Sequence, residues 1–105
     1  MKSRMQDITR HVRAVLEHDM ASRNSDSYLY YKVCCEMLSH SGINPATITL
    51  KDACTRRDAL GLPATESVRR ARQKLQSENP ELRGSERVTK MRAELEEEFR
   101  EYARS

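Results

Sequence analysis

"TESVRRARQKLQ", residues 65–76, is a short basic stretch that directly follows "ALGLPA". Val68, Ala71, Arg72 and Leu75 recur in steps of three and four, so they share one face of a helix. Arg69, Arg70, Gln73, Lys74 and Gln76 then point outward or sideways. Thr65 is expected to cap the helix, Glu66 suits the positive end of its dipole, and Asn79-Pro80 stops it near residue 78. A helix of this kind has an apolar side that other helices must cover.

The flanking sequence supplies them. Upstream, "LKDACTRRDALGLPA" (50–64) reads as a helix from about 50 to 60 that buries Leu50, Ala53, Cys54 and Leu60. Thr49 with Asp52 resembles a capping box at its start, and Gly61 with Pro63 ends it. "INPATI" (43–48) is ambiguous between an extended segment and a connector. From about 26 to 40, Leu29, Tyr30, Val33, Cys34, Met37 and Leu38 give a broad apolar face, and Asn24, Ser25 or Asp26 could cap it. Met5, Ile8, Val12, Val15, Leu16 and Met20 mark a first amphipathic helix over about 3–20. Downstream, Ser85 can cap a long last helix reaching about 103, striped by Val88, Met91, Leu95, Phe99 and Tyr102. The expected fold is all-α: one domain over 1–105, a compact bundle of about five helices.

Composition agrees. A chain of 105 residues falls in the common single-domain range. With no Trp and one Phe, its core must rest on Leu, Val, Ile, Met and Ala. A domain this small buries only about two thirds of its chain surface, so its stability is marginal and homodimerisation is an option. No apolar run approaches the ~20 residues of a membrane span, and the charged start "MKSRMQDITRHVR" has no signal-like core. Three cysteines, Cys34, Cys35 and Cys54, are an odd number, which fits free thiols in a reducing compartment. A bacterial cytoplasm is the expected location.

The residues offer little to an enzyme. His11, His18 and His40 show no ligand spacing with each other or with the cysteines, so buried thiols and surface imidazoles are expected, with no metal and no cofactor. No nucleophile signature is present, and Gly42, Gly61 and Gly84 are too scattered to cradle a phosphate. The acids of "ELEEEFREY" (94–102) read as a solvated face, with Lys90–Glu94, Arg92–Glu96 and Glu96–Arg100 as i,i+4 partners.

Charge is the informative feature. The formal net charge is +3, yet residues 51–76 carry seven basic against three acidic side chains, or +4, and residues 77–105 carry six against eight, or −2. Helix, Gly-containing turn and basic second helix over about 50–78 form a helix-turn-helix-like unit, although Ala53 and Gly61 lie eight apart where the familiar spacing is four. In that reading Arg69, Arg70, Gln73 and Lys74 contact groove and backbone of double-stranded DNA. Arg56 and Arg57 add phosphate contacts, and Thr65 and Ser67 offer hydroxyls at the helix start. The competing reading makes the same face a solvated surface paired with the acidic last helix. "RNSDSYLYYKV" (23–33) is a second candidate surface, because three tyrosines on one helix cannot all face inward.

Two blocks, "ASRNSDSYLYYKVCCEM" (21–37) and "GLPATESVRRARQKLQSENPEL" (61–82), together with the terminal "FREYAR", resemble small uncharacterised proteins encoded in phages and prophages of Gram-positive bacteria. The resemblance implies a phage origin and a place in the host cytoplasm, and carries over no reaction and no binding residue. The expected function is DNA binding. The alternative is a non-enzymatic module that binds and inhibits a host defence protein.

Overall fold

The structure, a computed structural model, describes residues 4–104, with side chains from 7 to 103. It contains five α-helices and no strand among the described residues: α1 (Arg4–His18), α2 (Asp26–His40), α3 (Leu50–Thr55), α4 (Thr65–Glu78) and α5 (Glu86–Arg104). Short 3-10 turns at Met20–Arg23, Pro45–Thr47 and Pro80–Leu82 join them.

The core is a three-helix affair. Ile8, Val12, Val15 and Leu16 of α1 pack with Leu29 and Val33 of α2 and with Val68, Ala71 and Leu75 of α4. Leu82, from the last 3-10 turn, closes the end. These are the apolar positions the helical spacing selects. Met20, expected to extend the α1 stripe, is exposed, because α1 stops at His18 and Asp19 starts a new turn by accepting from the Ala21 amide. Met5, at the other end of that stripe, lies outside the residues whose side chains are described.

Local chemistry sets the helix ends. Ser25 caps α2 by accepting from the Tyr28 amide at 3.2 Å. Ser85 caps α5 through the Val88 amide at 3.3 Å. Thr49 caps α3 through Asp52 at 3.0 Å. Thr65 does not cap α4: it is already the first helical residue, and Ala64 holds the cap position with no side-chain bond. "INPATI" is a connector, its 3-10 turn begun by Asn44, whose side chain accepts from the Ala46 amide.

α3 departs most from expectation. It lasts six residues rather than about eleven, and Leu50, expected in the core, is 81% exposed. A helix this short gains little from its own hydrogen bonds and is held by what surrounds it. Gly61, at φ +72°, turns the chain back so that Leu62 and Pro63 enter the interior instead. There the Tyr30 hydroxyl donates to the Pro63 carbonyl at 2.7 Å. α3 and α4 are thus separated by nine residues, 56–64, against the three or four of a helix-turn-helix.

α5 lies apart from the core: none of its residues belongs to the buried cluster. The radius of gyration, 14.9 Å, exceeds the about 13 Å expected for this length, as a projecting helix would make it. α5 is fastened at its N-terminal end, where the Ser85 amide donates to Asn24 Oδ1 at 2.8 Å and Gly84 lies close against the Arg23 carbonyl and the Asn24 side chain.

Candidate nucleic-acid interface

Four of the eight residues singled out by sequence come together. Arg69, Arg70, Gln73 and Lys74 form one wall of an open cleft of about 1250 Å³ between α4 and α5. Glu96, Phe99 and Arg100 form the facing wall, and Arg83 stands at the end. The other four, Arg56, Arg57, Thr65 and Ser67, lie outside this lining, toward the N-terminal end of α4. That end carries its own anion in Glu66, so its amides are a poorer phosphate seat than Thr65 and Ser67 suggest.

The floor of the cleft is built from residues whose pattern looked merely helical. Arg72 is 5% exposed and Gln76 is 7% exposed, so Gln76 points inward and not outward as expected. Arg72 Nε lies 2.8 Å from Asp26 Oδ1 as an ion pair, too far off line for a hydrogen bond, while Nη2 reaches Oδ2 at 3.3 Å. Arg92 of α5 reaches the same carboxylate at 3.4 Å and donates to the Arg23 carbonyl at 2.9 Å. Two guanidinium groups therefore share one carboxylate, leaving one positive charge unmatched. Burial, and after it the neighbouring Arg72, press the Arg92 guanidinium below its usual range. Arginine stays charged even so. Gln76 ties the floor together, its Nε2 donating to the Leu82 carbonyl at 3.0 Å.

The walls are partly engaged. Arg69 donates through Nε and Nη2 to Glu66 of its own helix, and Arg70 Nε reaches the same carboxylate at 3.2 Å. Those hydrogen bonds hold the Glu66 carboxyl below its ordinary range. The pairs are solvent-exposed, and such pairs contribute at most about 1 kcal/mol, so an incoming phosphate can replace Glu66 cheaply. Gln73 donates to Glu96 across the cleft at 2.9 Å, the one wall residue that meets the acidic last helix as the competing reading foresaw. Lys74 has no hydrogen-bond or ion-pair partner among the described residues. The expected Arg92–Glu96 pair gives way to Asp26, and Arg100 lies 3.9 Å from Glu97 instead of pairing with Glu96. In all, the lining holds seven cations against one carboxylate.

The remaining candidates have structural partners. Arg23 Nε donates to the Leu16 carbonyl at 2.7 Å and Asn24 holds α5, so "RNSD" is a junction between helices. Tyr28 and Tyr31 are both exposed, as the tyrosine spacing requires of at least one ring, and Tyr28 donates to Asp19 Oδ2 at 2.9 Å. His11 is buried rather than superficial, 3.3 Å from Glu36 and edge-on to His40. Cys34 and Cys35 are half-buried and Cys54 is exposed, all as free thiols. Among the described residues no group of three or more His, Cys, Asp or Glu side chains could hold a metal ion, and no helix is long and apolar enough to cross a membrane.

Comparisons with protein-family models, with curated proteins and with solved structures give no match.

Proposed function

We propose that this protein binds nucleic acid, with a phosphate backbone lying in the cleft between α4 and α5. The observation that carries this reading is the sharing of Asp26 by Arg72 and Arg92 beneath walls that add five further cations and one carboxylate. A partly buried guanidinium that shares its carboxylate with a second one favours an anion above it, and a concave basic surface concentrates the field there. Arg70 and Lys74 meet phosphates directly, and Arg69 follows by exchanging Glu66 for a phosphate oxygen. Phe99, exposed on the cleft rim, offers a ring for an unpaired base.

Entry of α4 into a major groove, as a helix-turn-helix would have it, has less support. α5 stands beside α4, the connector is long, and Gln73 is tied to Glu96. Backbone contact with weak sequence preference fits the geometry better. An inhibitor of a host protein is the second reading, favoured by the uncovered apolar face of α5. A phage origin is part of the same proposal and rests on the resemblance of the two sequence blocks and the terminal "FREYAR" alone.

The test is fluorescence anisotropy with labelled duplex and single-stranded DNA at low salt. Binding that weakens at least tenfold in Arg70→Ala/Lys74→Ala supports the reading. No binding to either probe, or equal affinity in the variant, overturns it.

A further inference from the structure

α5 carries an apolar face that stays largely exposed among the described residues. Met91, Leu95, Phe99 and Tyr102 are 46% to 82% exposed, and with Val88 they form one stripe about 21 Å long. Val88, Leu95 and Tyr102 repeat at intervals of seven, the period at which one helix keeps a seam toward another. The stripe lies roughly 100° around the helix from the side that lines the cleft, and Phe99 sits at the border of the two.

Charge says what belongs there. Residues 86–93 hold three basic side chains and one acidic, or +2, while residues 94–104 hold two basic and five acidic, or −3. Arg87 and Lys90 in the first half, and Glu94 and Glu98 in the second, have no ion-pair partner among the described residues. Two copies of α5 laid antiparallel about a two-fold axis near Leu95 bring each basic half onto an acidic half. Parallel pairing would set like charge on like.

We infer that α5 is a homodimerisation helix, docking a second copy of this chain antiparallel through Met91, Leu95, Phe99 and Tyr102. The interface is isologous, so each side chain serves twice. Phe and Tyr bury about 150–250 Å² each, so the paired stripes cover on the order of 1,000 Å², near the lower limit of a specific interface. The basic walls of both clefts stay accessible while Phe99 turns from the rim into the seam, so a base stacks on it only in the monomer; the inference stands whether or not the clefts take nucleic acid.

Sedimentation equilibrium of the full chain at 5–200 µM tests it without any ligand. The expected result is a mass that rises with concentration from 12.2 kDa toward twice that value. Leu95→Glu and Phe99→Ala should each shift dissociation at least tenfold while leaving the melting temperature of the monomer unchanged. Arg87→Glu/Lys90→Glu and Glu98→Lys/Glu101→Lys should each weaken the homodimer, and mixing the two should restore a heterodimer. A chain monomeric at 200 µM, whose stripe then serves a different protein, would overturn the proposal. So would charge-swapped variants that fail to recover association on mixing.

Discussion

Asp26 is the side chain on which three helices depend. It is the first residue of α2, and it is the carboxylate for Arg72 of α4 and Arg92 of α5. Asp26→Asn removes that charge and leaves Arg72 buried without an ion. A fully buried broken pair costs about 3–5 kcal/mol, and partial solvation of Asp26 lowers the expectation to about 2–3 kcal/mol. Thermal unfolding by circular dichroism should show a melting temperature lower by on the order of 10 °C. Tyr30 sets a different limit. Burial, and after it the neighbouring Cys34 thiol, push its hydroxyl from 10.0 to about 12. An acid whose folded value is raised stabilises the fold fully below pH 10 and loses that contribution as pH climbs toward 12. Tyr30→Phe should cost about 1 kcal/mol at neutral pH through the lost bond to Pro63, and should flatten the decline in stability between those two pH values.

At the scale of elements, the junction between the last 3-10 turn and α5 is the most sensitive backbone position. A Cβ at Gly84 would stand 2.7 Å from the Arg23 carbonyl oxygen and closer still to Asn24 Oδ1. Gly84→Ala should therefore break the Asn24–Ser85 bond and cost about 1–3 kcal/mol. Hydrogen exchange should show it as lost protection at the start of α5 with α1 little changed. α1, α2 and α4 were legible because each carries an apolar face that the same core consumes, so the 3.6-residue period is strong in the sequence. α3 was not, because Leu50 and Leu62 look equally fit to be buried. The choice falls to Leu62 through the Gly61 turn and the Tyr30–Pro63 contact, which joins residues 33 apart. The helical state of α5 was plain from its stripe, yet its separation from the core was not. An apolar stripe reads alike whether its partner is the same chain or another.

For the whole molecule, a net charge of +3 understates the electrostatics. The α4 wall of the cleft was visible in "SVRRARQK", since outward arginines follow directly from the helical period. The α5 wall and the floor were not. Spacing along α5 assigns Arg92 and Arg100 to Glu96, and only the tertiary fold sends Arg92 to Asp26 and brings Arg100 to the rim. Arg56 and Arg57 looked equal to Arg70 in sequence and lie elsewhere in space. This difference gives the account its sharpest test: the dependence of DNA affinity on salt, measured in the parent chain and in two variants. With about four phosphates neutralised, log K should fall against log salt with a slope of about −3 to −4. Arg70→Ala/Lys74→Ala should make that slope shallower by about two, and Arg56→Ala/Arg57→Ala should leave it unchanged. A slope near zero, or one that the connector variant moves and the cleft variant does not, would contradict the cleft as the binding surface.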